Sequence, residues 1–202
     1  MLNRFSLALT CPASAHESIN GVLDSAEGGY LPLFAATLGM RYDVFSAILS
    51  GDQIDPVLQT PLHADLLAEW VPELFPPLVE MLWDSRSNDE PLTWWVAHAI
   101  ACACFGHRHL WQDLGFGGRN EVSGLLAKRF CWLFTRNTGN MKWKRFIFQE
   151  LGLHLGVPEL LPPGCSDCED FRSCFGKARI SDSTLSGYEQ MAETHIVIHS
   201  AQ

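Results

Sequence analysis

Basic residues are scarce in this sequence. Its 202 residues include 14 lysines and arginines against 23 aspartates and glutamates, which gives a net charge of −9 with neutral histidines. A chain with this charge has no general attraction for a phosphate backbone. We therefore expect no nucleic acid among the partners of the protein.

Long hydrophobic runs are also missing. The most apolar stretch, residues 94–105, contains His98 and is well short of the ~20 residues that a membrane-spanning helix needs. The first residues, MLNRFSLALTCPAS, carry one arginine and a short apolar run, too weak a pattern for a secretory signal. Four of the seven cysteines lie scattered in apolar surroundings, as is typical of reduced thiols. We expect a cytoplasmic protein without a membrane-spanning segment.

The motifs of several common enzyme classes are absent as well. The sequence has no glycine-rich phosphate loop, no serine nucleophile elbow and no HExxH pair. A hydrolase or a kinase is therefore not indicated. We expect a protein that is not an enzyme.

Apolar residues at helical spacing dominate what the sequence does contain. They recur every three or four positions and predict an all-α fold. Glycine and proline predict the ends and breaks of the helices, including a break near Gly39 and a short helix between Gly106 and Gly115. The predicted helical segments are residues 31–49, 62–83 (split or kinked by its prolines), 91–105, 107–116, 121–134 and 141–155.

We divide the chain into three parts. Residues 1–29 are an N-terminal segment, residues 30–176 a single helical domain, and residues 177–202, rich in serine and threonine, a flexible tail. Three prolines and a glycine lie between positions 158 and 164, after the last predicted helix. Residues 160–176 are therefore predicted to form a loop.

This loop contains the stretch GCSDCEDFRSCFG, with Cys165, Cys168 and Cys174 in a C-x2-C-x5-C spacing. Soft thiolates at short spacing hold zinc or iron–sulfur units well, because one loop supplies several ligands. A closed zinc site needs a fourth ligand. The alternative is three incidental loop thiols, which is less common because cysteine is scarce and normally buried.

Four other side chains are candidates for a further ligand. His98, Cys102 and His109 would share one helix face with Phe105 if the helix continued past Gly106, and His154 is near the loop in sequence. A histidine on an apolar helix face is more often a core residue with a satisfied hydrogen bond than a ligand.

Three stretches of the chain resemble a known family: ACACFGHRHLWQDLGF at 101–116, NMKWKRFIFQELG at 140–152 and CSDCEDFRSCFG at 165–176. Together they are similar to the nitrogen-fixation NifQ family, and the resemblance extends over about residues 30–176. It implies an iron–sulfur and molybdenum-handling accessory protein. Such a protein supplies molybdenum during assembly of the nitrogenase iron–molybdenum cofactor and passes it to other assembly proteins.

The family's loop pattern is C-x4-C-x2-C-x5-C, and its last three cysteines match Cys165, Cys168 and Cys174. Its first cysteine would fall at position 160, where this chain has Leu160. Leucine cannot bind a metal. We therefore expect a cluster held by three thiolates, or one completed by a ligand from elsewhere in the chain.

Two other functions remain open at this stage. The loop could hold a structural zinc ion, or the chain could be a helical protein–protein interaction module without a cluster. The basic residues Lys142, Lys144 and Arg145 could attract molybdate or an acidic partner, or they could pair with carboxylates inside the fold.

Overall fold

The computed structural model describes residues 13–49, 67–165, 168 and 170–175. Within these residues the chain forms helices joined by turns, with one isolated antiparallel bridge between Met40 and Leu67. The predicted all-α fold is confirmed. The helices are α1 (Ala13–Glu27), α2 (Tyr42–Leu49), α3 (Phe75–Asp84), α4 (Pro91–Cys104), α5 (Leu110–Asp113), α6 (Arg119–Arg129), α7 (Cys131–Arg136), α8 (Trp143–Leu155) and α9 (Phe171–Phe175).

Helix α4 lies at the centre of the fold. Eleven of its residues are buried, among them every residue from Val96 to Cys104, so it has no polar face directed to water. A helix that is apolar all round is stable only when other elements cover it. Helices α1, α3 and α5 pack against α4. As predicted, α4 starts at Pro91 and ends just before Gly106.

Helix α1 lies within the segment 1–29, for which the sequence had not predicted a helix. Its buried residues Ala15, Ser18, Ile19 and Val22 recur at helical spacing. Gly21 is the point of closest approach to α5, since a Cβ atom there would lie 2.3 Å from the carbonyl carbon of Leu114. The helix thereby becomes part of the packed core.

The predicted break near Gly39 is confirmed. A short 3₁₀ helix, Leu33–Thr37, precedes it, and both Leu38 and Gly39 have positive φ angles, of 54° and 74°. The chain then enters α2 at Tyr42.

The prediction for residues 62–83 is only partly correct. Residues 62–66 lie outside the described residues, residues 67–74 form turns, and a helix begins only at Phe75. Pro72 disfavours helical geometry in the residue before it and donates no hydrogen bond. Pro76 and Pro77, by contrast, fall in the first turn of α3, where proline is tolerated.

The prediction of a single helix over residues 121–134 is wrong. Helices α6 and α7 are separated at Phe130, which is buried and has a non-helical φ of −137° and ψ of 54°. Two hydrogen bonds to Ser87, in a distant loop, stabilise this break. The Ser87 amide donates to the Arg129 carbonyl at 2.7 Å, and the Cys131 amide donates to the Ser87 hydroxyl at 2.9 Å.

The cysteine segment follows α8, which ends at Gly156 with a φ of 72°. Gly164 touches the turn after α4 so closely that a Cβ atom there would lie 2.4 Å from the Gly106 carbonyl oxygen. The prediction that residues 160–176 form a loop is only partly correct. Helix α9 forms a single helical turn within this segment and carries Cys174. The predicted tail, residues 177–202, lies outside the described residues. None of the described helices combines the length and apolar character that crossing a bilayer requires.

Candidate metal centre

Four segments of the described chain surround one cavity of about 70 Å³. They are the turn between α4 and α5, the start of α6, the start of α8, and the cysteine segment. Cys165, Cys168 and Cys174 all line this cavity. The three thiols that the sequence groups by spacing therefore lie on the wall of a single site.

Lys144 lines the cavity, and its buried ammonium group makes three hydrogen bonds. Its Nζ donates to the carbonyl oxygens of Gly106 at 2.9 Å and Arg108 at 2.5 Å, and to Oδ2 of Asp113 at 2.8 Å. The other oxygen of Asp113 accepts from Nε of Arg108 at 2.9 Å. Of the two predictions for Lys144, pairing inside the fold is therefore the one that the structure shows.

Burial makes two of the three thiols, Cys165 and Cys174, hold their protons more tightly than a free thiol does. Burial raises the pKa of Cys165 to about 11, with Cys168 and Cys174 adding to the rise and Lys144 opposing it. Burial also raises the pKa of Cys174, and the nearby charge of Lys142 opposes that shift. Because a thiolate is the metal ligand, binding of a soft metal would have to displace these protons.

His109 is the one predicted histidine ligand that the structure places on the cavity wall. It lies in the turn before α5, where its backbone amide donates a hydrogen bond to Oε1 of Gln112 at 3.0 Å. Its Nε2 is 3.2 Å from Oδ2 of Asp170, in the cysteine segment, and its ring stacks on Trp111. His109 thus links the α4–α5 turn to the cysteine segment.

His98 and Cys102 lie elsewhere, in the core. Nδ1 of His98 donates to the carbonyl oxygen of Leu38 at 2.9 Å, and its ring packs against Trp94 and Phe75. Cys102 is fully buried. The stripe predicted from His98 to His109 does not form, because α4 ends at Cys104 and His109 belongs to a separate segment.

His154 and Leu160 do not line the cavity either. His154 is exposed in the last turn of α8 and is not among the residues that line the cavity. Leu160 is buried, and it packs so close to Gly152 that a Cβ atom on the glycine would lie 3.0 Å from the Leu160 Cβ. At this position the chain therefore has a core contact with α8.

A fourth thiol near the site was missed by the sequence reasoning. Cys104, the last residue of α4, is fully buried, and burial raises its pKa to about 12 while nearby Lys144 lowers it. The only sequence signal that could have found Cys104 is its position two residues before Gly106, which lines the cavity.

The residues present fit a metal or an iron–sulfur group by donor type and by their shared cavity. Thiolates and imidazole are the ligands that zinc and iron–sulfur units accept. Among the described side chains, no group of three or more His, Cys, Asp or Glu is arranged to hold a metal ion as it stands. The fit therefore depends on donor chemistry and on the common wall.

The fold and the site define a helical protein whose C-terminal cysteine segment lies across a cavity with basic walls. A model of the NifQ family matches residues 20–176. The chain belongs to the NifQ family of nitrogen-fixation proteins.

Several NifQ proteins are similar to this chain. NifQ from Azotobacter vinelandii is 36% identical over 58% of this chain and 66% of its own length. A NifQ homolog from Sinorhizobium fredii is 40% identical over 40% of this chain and 35% of its own length, and NifQ from Rhodobacter capsulatus is 35% identical over 40% and 45%. The chain thus spans between about a third and two thirds of these relatives. No solved structure matches it.

Replacing Lys144 tests whether the buried ammonium holds the site together. Lys144→Met leaves Oδ2 of Asp113 and two carbonyl groups without their donor, and we expect the free energy of unfolding to fall by about 3 kcal/mol or more. Urea denaturation measures this change. Lys142→Met is the matched control, because Lys142 is exposed and should change stability by no more than about 0.5 kcal/mol. Equal stability of the two variants would contradict this role of Lys144.

The core position of His98 predicts loss of stability in acid. Burial lowers its pKa to about 4, with the Leu38 hydrogen bond opposing the shift, so the unfolded chain binds a proton at higher pH than the fold does. Stability should therefore fall as the pH drops from about 6.5 towards 4, by about 2 kcal/mol between pH 7 and pH 5. Urea denaturation at both pH values measures this loss.

The variant His98→Gln should lose most of this pH dependence, because it removes the titrating group. His154→Gln serves as the control, since His154 is exposed, and it should keep the pH dependence of the parent protein. An unchanged pH dependence in His98→Gln would show that other groups cause the acid sensitivity.

Proposed function

We propose that this protein is a carrier that binds an iron–sulfur cluster and molybdenum, and that it donates molybdenum for biosynthesis of the nitrogenase iron–molybdenum cofactor. The observation that carries the proposal is the shared cavity wall: three loop thiols and His109 line one space in a chain of the NifQ family. The proposed recipients are other nitrogenase cofactor-assembly proteins in the cytoplasm.

Cys165, Cys168 and Cys174 are the proposed cluster ligands. Position 160, where the family pattern has a further cysteine, is filled by Leu160 against α8, so a fourth ligand would come from another segment. His109 is the best placed of the candidates, because it lines the same cavity and contacts the cysteine segment through Asp170. A bound iron–sulfur group would supply a soft site at which molybdenum can bind and exchange.

The proposed role is that of a carrier, without a turnover step of its own. Molybdenum is the cargo, and the residues of the chain bind it, hold it and give it up. The buried Lys144 beside Cys165 would favour the deprotonated, metal-binding form of the thiol, since it opposes the rise in the pKa of Cys165.

Metal and sulfide analysis of the full chain tests the proposal. Protein purified without oxygen from cells supplied with iron and molybdate should contain iron, acid-labile sulfide and molybdenum, absorb visible light, and give an electron paramagnetic resonance signal in one redox state. The triple variant Cys165→Ser, Cys168→Ser, Cys174→Ser should lose all three components. Zinc without sulfide would favour the structural zinc site instead, and a triple variant that still supports nitrogen fixation would favour the interaction module.

Replacing His109 tests the fourth ligand. His109→Ala should release iron to a chelator at least about tenfold faster than the parent protein, because the loss of a ligand or its support typically weakens metal binding by this factor or more. His154→Ala is the matched control and should release iron at the parental rate, since His154 is exposed and away from the cavity. Equal release from both variants would exclude His109 as a ligand.

A further inference from the structure

The wall of the cavity that the thiols line is basic, in a chain that is acidic overall. Five lysines and arginines line it, whereas none of the described lining residues is an aspartate or glutamate. The chain as a whole has a net charge of −9. Positive charges gathered in a concave, partly buried site attract anions far more strongly than the same charges spread over a surface. The basic residues are Arg108, Arg119, Lys142, Lys144 and Arg145.

Four of these five cations, Arg119 among them, have hydrogen-bond partners in the fold. Lys144 and Arg108 both bind Asp113, and Arg108 also stacks on Tyr30. Arg145 donates through Nη1 to the Cys174 carbonyl and stacks on Phe175. These three residues line the cavity and are held in place by these contacts.

The other two cations have hydrogen-bond donors to spare. Arg119 uses Nη2 to bind the carbonyl oxygens of Asn140 and Met141, but its Nε–H is buried and no described atom accepts its hydrogen. No described carboxylate pairs with the exposed ammonium of Lys142. A buried donor without an acceptor is costly, and an anion in the cavity would supply the acceptor.

The start of α8 adds to this positive wall. Lys142 is the residue that precedes the helix, no side chain caps the first turn, and Trp143, Lys144 and Arg145 all line the cavity. The first turn of an α-helix carries unsatisfied backbone N–H groups and a partial positive charge. The first turn of α8, Arg119 and Lys142 therefore all place positive charge at the same cavity.

We propose that this wall is a binding site for a tetrahedral, doubly charged oxyanion of the molybdate class, held between Arg119, Lys142 and the first turn of α8. The inference rests on the proposed function and names the form in which the cargo arrives. The cavity has room for several water molecules, and hence for one such oxyanion in their place. Because the thiols line the same cavity, the oxyanion binds close to the sulfur ligands and needs no redox change to do so.

Equilibrium binding of molybdate to the full-length protein tests the site. Calorimetry at low salt should give saturable binding of one molybdate per chain, and the affinity should fall as sodium chloride is raised, since salt screens the charges. Tungstate, which has the same shape and charge, should compete.

Charge-matched variants identify the wall. Lys142→Gln should weaken molybdate binding about tenfold, the factor that one hydrogen bond to a charged group typically contributes. Arg119→Lys, which keeps the charge but removes Nε–H, should also weaken it. Lys128→Gln is the matched control, because Lys128 is exposed on α6 and does not line the cavity. Thermal denaturation of each variant verifies that the fold is intact.

The outcomes separate this site from the proposed function. An absence of saturable molybdate binding, or equal weakening by Lys128→Gln and Lys142→Gln, would overturn the oxyanion site even if the parent protein carried iron, sulfide and molybdenum. Molybdate binding that depends on Lys142, in a protein that never acquires iron or sulfide, would support the oxyanion site and overturn the proposed cluster.

Discussion

The ammonium group of Lys144 is bound on three sides by the Gly106 and Arg108 carbonyls and the Asp113 carboxylate, and the site is arranged around these bonds. They fix the start of α8 to the turn after α4 and to α5. A lysine is rarely buried, because its charge must be paired and its donors satisfied. Here both conditions are met, so this contact defines where the cavity wall can form. The cysteine segment then seats against the same turn through Gly164, where only a residue without a Cβ fits.

The central position of α4 makes this arrangement possible. Because α4 is covered by α1, α3 and α5, its C-terminal end is fixed and buried. Cys104 ends the helix, and the turn that follows supplies the Gly106 carbonyl that binds Lys144 and the histidine that contacts Asp170. The lining of the cavity thus offers soft sulfur and imidazole together with fixed positive charge. A cavity with this lining suits an anionic ligand that binds close to the sulfur atoms.

Local signals in the sequence predicted several elements, and distant contacts decided the others. Pro91 and Gly106 mark the limits of α4 because proline starts and glycine ends helices through their own backbone preferences. The break at Phe130 could not be predicted in this way, since it depends on hydrogen bonds to Ser87, more than forty positions away. The same holds for His98: helical spacing placed it beside Cys102, but only the fold shows that its partner is the Leu38 carbonyl.

The sequence by itself determined the all-α fold and the grouping of Cys165, Cys168 and Cys174, because helical periodicity and short cysteine spacing are local properties of the chain. It also carried the family resemblance, which lies in three continuous stretches of the chain. Tertiary structure alone decided which other residues join the cysteines. His109 reaches the cavity and His154 does not, although His154 is nearer in sequence, since the turn after α4 is held to the cysteine segment by contacts that sequence distance does not encode. The role of Lys144 was decided in the same way, by a carboxylate thirty-one positions earlier.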